Sequence, residues 1–171
     1  MDNEKRKKIK SLLNSVMRAV CKDKDLPMHN KIAVYRIDSI YGFIATDQHR
    51  FHFSFSGLEP MDWIDEEPIA ILDAKKTKEA IKNKDFDIEK ITVDCFHASQ
   101  EFPPVMNIVK NHLPDDEKTP GFLQVNASYL AQALQSSPKD TTTKVMGFKN
   151  TLSPIIVTSK GFYAMIMPRR Y

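Results

Sequence analysis

From Ile9 the apolar positions run Leu12, Leu13, Val16, Met17 and Val20, the i, i+3, i+4, i+7 progression of one helical face, and predict a helix over 4–22. The runs IAVYRI (32–37) and YGFIAT (41–46) are rich in β-branched and aromatic residues around Asp38-Ser39 and read as a hairpin. In RFHFSF (50–55) the phenylalanines alternate with polar neighbours, so period two puts Phe51, Phe53 and Phe55 on one face of a third strand. The acidic stretch SGLEPMDWIDEEP holds two prolines and no period, and reads as a linker.

A second unit opens with a strand, PIAIL (68–72), and continues with Asp73 as N-cap of a lysine-rich helix over 74–84 and a strand in ITVDCF (91–96). The proline pair of FPPVMNIVKNHLP (102–114) opens a short helix that runs into the connector DDEKTPG. A third unit has a strand in FLQV (122–125), Asn126 as N-cap, a helix over 127–136 with Leu130, Ala133 and Leu134 inward, and strands in KVMGFK, SPIIVTS and FYAMIMP. The order of elements predicts three helix-plus-strands units at 1–58, 68–114 and 121–171, packed as one or two domains. Their packing is expected to be α+β, with helices on one side of antiparallel sheets.

Composition narrows the function classes. Of the 171 residues, 42% are hydrophobic and 27% charged, as in an ordinary globular chain. There is no apolar run of the roughly 18 residues that a membrane span needs. The charged start MDNEKRKKIK lacks the apolar stretch of a secretion signal, so a cytoplasmic protein is expected. Cys21 and Cys95 have no metal-ligand spacing and read as buried or half-buried thiols. A net charge of +3 is too small for a generic polycation, but its distribution is uneven. Lysines gather at 5–10 and 75–84 and acids at 59–67 and 115–117, which suits one face to phosphates; the alternative is that these are solvated helix faces.

Catalytic patterns are sparse. The five histidines form no HExxH or i, i+4 pair, no GxSxG elbow exists, and no glycine-rich phosphate loop is present. Asp47, His49 and a thiol form a nucleophile–base–orienter set only if the fold brings them together. The expectation is therefore a protein that is not an enzyme, with no cofactor and no metal.

Three segments carry a family resemblance. ATDQHRF (45–51) is similar to the ATDGHRL motif of the bacterial β sliding clamp, the processivity subunit of the replicative polymerase. FPPVMNIVKNHLP resembles the clamp's FPDYRRVLP segment, and the closing GFYAMIMPRRY (161–171) resembles its terminal YVVMPMRL. The joint order of the three is what makes the resemblance specific. It departs at Gln48 for glycine, Phe51 for leucine, Asn107 for arginine and at the last residues, and family members carry about twice as many helix-plus-strands units, so the chain resembles a compact, shortened member.

The resemblance implies a sliding-clamp fold and a DNA clamp that encircles duplex DNA and recruits partners. In the family these segments line a pocket for linear peptides from polymerases, clamp loaders and repair proteins. Carried over, the pocket comprises Thr46, His49, Arg50 and Phe51, then Pro103, Asn107 and Ile108, then Met165, Met167, Pro168 and Arg169. Methionines adapt to varied apolar anchors, which suits that use; the alternative is that one face of the Met165–Met167 strand is core. The expected DNA contacts are Lys7, Lys8, Lys10, Arg18, Lys75, Lys76, Lys78, Lys82 and Lys84, acting on phosphates without base readout. Three helices per chain match the family's inner lining in a four-copy ring, so a homotetramer is favoured over a six-copy ring or a dimer. A monomeric clamp-like adaptor that keeps the pocket, and a small hydrolase, are the other classes.

Overall fold

The computed structural model describes residues 1–21, 30–57, 60–63, 66–95, 102–103, 105–106, 125–138, 142–146 and 153–168. Helix α1 (Asn3–Val16) is capped by Asp2, whose carboxylate accepts from Lys5 N, and buries Ile9, Leu13 and Val16. A 3-10 turn (Met17–Ala19) follows it directly, so the apolar period extends beyond the α-helix that it predicted to residue 22. Residues 22–29 lie outside the described residues.

Strands β1 (Lys31–Ile37), β2 (Ile40–Thr46) and β3 (Arg50–Phe55) form the expected meander. Asp38 takes the left-handed conformation (φ 52°) that its hairpin turn requires and that aspartate tolerates. The linker read as structureless contains a 3-10 turn (Pro60–Trp63). It forms because Trp63, fully buried, stands edge-on to Phe53 and lies against the open face of Gly42. Strand β4 (Ala70–Asp73) pairs with β1, and Asp73 caps α2 (Ala74–Lys82) by accepting from Lys76 N.

Residues 91–95 of the expected strand 91–96 are not a strand, and residue 96 lies outside the described residues. Residues Ile88–Cys95 form helix α3. The β-branched residues at 91–93 favour a strand locally, but Asp87 accepts from Glu89 N, and Ile88 and Ile91 sit one helical turn apart against the core. Thr92 returns its hydroxyl to the Ile88 carbonyl, 3.0 Å away, which closes the polar group inside the helix. Tertiary burial of the 88/91/92 face overrides the propensity.

Val105 and Met106 are helical, as the proline pair predicted; most of 102–114, and 122–124 of the expected FLQV strand, lie outside the described residues, and Val125 itself is not in a strand. Helix α4 (Ala127–Ser136) begins at Asn126, which accepts from Ser128 N. Ala133 and Leu130 face the sheet, but Leu134 is 42% exposed, just past the edge of the buried stripe. Strands β5 (Lys144–Met146), β6 (Ile155–Ser159) and β7 (Phe162–Ile166) follow. The turn from β6 to β7 needs Gly161: φ is 75°, and a Cβ there would stand 2.6 Å from the Phe55 carbonyl.

The seven strands among the described residues join one antiparallel sheet in the order β4-β1-β2-β3-β7-β6-β5. The units α1-β1-β2-β3 and α4-β5-β6-β7 therefore meet third strand to third strand. Both faces of the sheet are buried, unlike a one-sided sheet with polar residues in water. One face carries α1, α2, α3 and α4, with Ile9, Leu13, Phe43, Leu72 and Ile88 in one cluster and Val157, Phe162 and Ile166 in another. The other face carries Phe51, Phe53, Phe55, Trp63, Val105, Met106, Tyr163 and Met165. The four described α-helices thus lie on one side of an antiparallel sheet, in the expected α+β arrangement, while the helical residues Val105 and Met106 and the 60–63 turn cover the other side.

Candidate functional site

The turn 46–50 is built from its own polar groups. Asp47 Oδ1 accepts from the backbone N–H groups of His49 and Arg50, each at 3.2 Å, and Thr46 donates its hydroxyl to the Arg50 carbonyl at 2.8 Å. Gln48 N donates to Thr46 Oγ1, and Gln48 occupies the left-handed region at φ 74°. The His49 carbonyl accepts from Met167 N at 2.8 Å, which continues the β3–β7 pairing past Ile166 and ties the first motif to the terminal one.

On the sheet face away from the helices, Thr46 pairs with Phe51, and Phe51 pairs with Met165. Phe51 and Met165 are 3% and 1% exposed, and they share a cluster with Val105 and Met106 from the middle segment. Phe102 and Met167, partly buried, pack against the same cluster, and Pro103 and Pro168 are half-buried. The three segments, far apart in the chain, therefore converge. Ile166, between the two methionines, faces the helices and is buried too, so both faces of that strand contain core residues. Asn107, Ile108 and Arg169 lie outside the described residues.

Arg50 is not brought together with Phe51 and Met165, because neighbouring strand residues point to opposite faces. It turns under the helices and is 7% exposed. Its Nε donates to Asp47 Oδ2 at 3.0 Å, Nη1 to Gln132 Oε1, and Nη2 to the Arg18 carbonyl at 2.8 Å; the guanidinium lies 4.2 Å from the Tyr129 ring centre. His49, exposed, stacks on the same Tyr129 ring at 6.3 Å. Asp47 is thus bound to Arg50 and to backbone, not to the His49 imidazole. An open cleft of about 710 Å³ lies here, lined by Arg18, Asp47, His49, Arg50, Lys78, Tyr129, Gln132 and Gln135 among others. Sequence reading missed Asp47 as a partner of Arg50 and all of the α4 residues; the Asp-x-x-Arg spacing within the turn signals the first, while nothing local signals the second.

Two residues along β3, His52 is fully buried with Nδ1 3.2 Å from the Ser15 carbonyl. Burial, with smaller contributions from the Arg50 and Arg18 charges, pushes its pKa down to about 4 against the pull of the Ser15 bond, so the ring is neutral at pH 7. Burial alone raises Tyr163, and raises Tyr35 to about 12. His52 Nε2, Trp63 Nε1 and Tyr163 Oη are buried without a hydrogen-bond partner among the described residues.

The lysines expected at DNA lie on the helical face. Lys7 and Lys8 on α1, Arg18 just beyond it, and Lys75, Lys76, Lys78, Lys82 and Lys84 on and after α2 are exposed. Lys10 is half-buried; its Nζ donates to the Asn83 carbonyl at 2.6 Å and sits over the Phe86 ring. Among the described residues no cluster of His, Cys, Asp or Glu is grouped to hold a metal, and no helix is long and apolar enough to cross a membrane.

Comparison with solved structures decides the fold. The chain superposes on the DNA polymerase III beta subunit of Thermotoga maritima with a TM-score of 0.65 over 97% of its own length, at 12% identity. It has the sliding-clamp fold. The beta subunit of Borrelia burgdorferi, solved in complex with a natural product, gives a TM-score of 0.66 over 98% of this chain at 12% identity. The DNA polymerase sliding clamp of Caulobacter crescentus gives 0.63 over 97% at 13% identity. The match spans 64%, 62% and 64% of those three clamps, so the chain covers less than two thirds of their length. No protein-family model and no curated protein matches it.

Proposed function

We propose that this chain is a DNA sliding clamp and polymerase processivity factor. It assembles into a homo-oligomeric ring, encircles double-stranded DNA and tethers polymerases, clamp loaders or repair proteins by their linear peptides; the four α-helices described per chain replace the three from which the sequence favours a four-copy ring. It performs no chemistry of its own and works in the cytoplasm. The units 1–58, 68–114 and 121–171 are its building blocks.

The observation that carries this reading is the division between the two faces of the sheet. The four described α-helices and the exposed cations of α1 and α2 lie on one face, while Phe51, Val105, Met106 and Met165 of the three motif segments converge on the other, with Arg50 of the first motif turned back to the helical face. A protein that slides on DNA while holding a partner needs that separation. Loose contacts from Lys7, Lys8, Arg18, Lys75, Lys76, Lys78, Lys82 and Lys84 to phosphates let a ring move, and topology prevents escape. For the peptide, half-buried Met167, Pro168 and Pro103 supply apolar contacts above the buried Phe51 and Met165, with Thr46, His49, Asn107, Ile108 and Arg169 completing the set.

The experiment is retention on circular DNA. Protein loaded on a nicked circle stays through a high-salt wash and is released when the circle is linearised, because salt weakens phosphate contacts without opening a ring. Equal retention on both forms overturns encirclement and leaves the monomeric adaptor reading, in which the peptide face works alone.

A further inference from the structure

Strand β3 differs from its two neighbours in what it sends toward the helices. On that face β2 places Tyr41, Phe43 and Ala45, and β7 places Phe162, Ala164 and Ile166. β3 places Arg50, His52 and Ser54 there, all buried. Each of the three grips a backbone carbonyl at the end of α1. Ser54 Oγ donates to the Leu12 carbonyl at 2.6 Å, His52 Nδ1 stands 3.2 Å from the Ser15 carbonyl, and Arg50 Nη2 donates to the Arg18 carbonyl at 2.8 Å. A carbonyl only accepts, so Nδ1 carries the proton of the neutral ring and Nε2 carries a lone pair. Nε2 is buried without a hydrogen-bond partner among the described residues.

Nothing around the ring welcomes a second proton. The charges that act on it, Arg50 and Arg18, are both cations, and the Asp47 carboxylate is engaged by Arg50, whose other side Tyr129 covers. Ala45 and Ala164 flank His52 in the sheet, and Phe162 stands edge-on to it. The α1 residues buried over the sheet, Ile9, Leu13 and Val16, carry no charge. A proton on Nε2 would therefore make a buried N–H with no acceptor and add a third positive charge to two. We propose that His52 is a proton-operated latch on α1: the neutral ring holds the Ser15 carbonyl, and uptake of a proton at Nε2 frees the end of α1 from a sheet that stays folded. Opening the seam between α1 and β3 brings water to Nε2 without breaking a strand pair. The helix is already interrupted there, where α1 gives way to the 3-10 turn Met17–Ala19. The sheet also keeps the cluster on its other face, with Phe53, Trp63 and Met165, to which α1 contributes no residue. The latch does not require the clamp reading, although Lys7 and Lys8 ride on the helix it controls.

The test is hydrogen exchange of the full chain, read by mass spectrometry on fragments covering α1 and on fragments covering β6 and β7. It is run at pH 7.5 and 4.5 over a series of low urea concentrations and corrected for intrinsic exchange rates. With a ring pKa of about 4 when closed and about 6.5 when free, α1 should open roughly 70-fold more readily at pH 4.5 than at pH 7.5. That opening should respond little to urea, while β6 and β7 exchange more slowly and with the steep urea dependence of global unfolding. His52→Asn keeps an N–H donor close to the position of Nδ1 but cannot take up a proton, so the pH dependence of α1 should vanish. Ser54→Ala removes the neighbouring bond and leaves the imidazole, so α1 opening should rise about two- to tenfold at both pH values with their ratio unchanged. A wild-type ratio near one overturns the latch, and so does loss of protection by α1 and the strands together with one urea slope. Both of these outcomes are read without the Asn variant, should it fail to fold. If it folds, a pH ratio that persists in His52→Asn assigns the effect to another group and overturns the proposal.

Discussion

Gln48 and His52 are residues whose local environments work against their chemistry. Gln48 stands at φ 74° where the resembled motif has glycine, and a β-carbon in the left-handed region costs about 1–2 kcal/mol. Glycine removes that cost but gives back about 0.4–1 kcal/mol through the freer unfolded chain. Gln48→Gly is therefore expected to stabilise the protein by up to about 1.5 kcal/mol, read as a higher urea midpoint at unchanged slope; a lower midpoint means that the side chain makes a contact worth more than the strain. For His52 the sign follows from a folded-state pKa near 4 against an unfolded value of about 6.5. The unfolded chain binds the proton first, so the stability tied to the neutral ring is complete above about pH 7.5, declines as pH falls through 6.5, and levels off below about 4. The difference amounts to about 3 kcal/mol. Urea midpoints at pH 7.5 and 4.5 for the native chain and for His52→Leu should diverge from parallel by that order; parallel profiles show that the imidazole does not titrate with unfolding.

At the scale of elements, Arg50 is the junction at which the turn, the end of α1 and α4 meet. Its bonds reach Asp47, the Arg18 carbonyl and Gln132, and Tyr129 covers its face. Replacing one partner of such a buried pair strands the other, and Arg50→Met is expected to cost about 3 kcal/mol, with Asp47 the stranded charge. Arg50→Lys is expected to recover little of it, since an ammonium cannot make the three divergent bonds. Thermal denaturation of the two variants checks this, and a fall in melting temperature of less than about 2 °C in Arg50→Met would contradict it. The same scale explains the misread segment 91–96. Its β-branched letters specify a strand, but the helical face 88/91/92 buries against the core, and burial of two isoleucines outweighs a propensity difference of a few tenths of a kcal/mol.

At the scale of the whole molecule, β4 and β5 are the two ends of the sheet, and each has one neighbour among the described strands. Head-to-tail contact between the end of one copy and the opposite end of the next would cover both edges and, with a rotation that closes, make a ring. Light scattering coupled to gel filtration is expected to give a discrete multiple of the 19.6 kDa chain. A monomer at micromolar concentration overturns the ring, whereas the multiple found sets its stoichiometry.

The sequence by itself determined the elements whose patterns are local: the α1 face, the β1–β2 hairpin by its β-branched and aromatic runs, β3 by period-two alternation, and the caps Asp73 and Asn126. Each depends on spacing within one helix turn or one hairpin, so it is written in neighbouring letters. Only the tertiary structure decided which face of the sheet each motif residue serves. Phe51 and Arg50 are adjacent in one motif, yet one joins Met165 and the other joins Gln132, because a strand sends consecutive side chains to opposite sides and both sides here are covered. The pairing of β3 with β7 brings together residues more than a hundred positions apart, and the cleft depends on α4 packing beside the end of α1. Such contacts are set by long-range packing, for which neither strand nor helix carries a local signal.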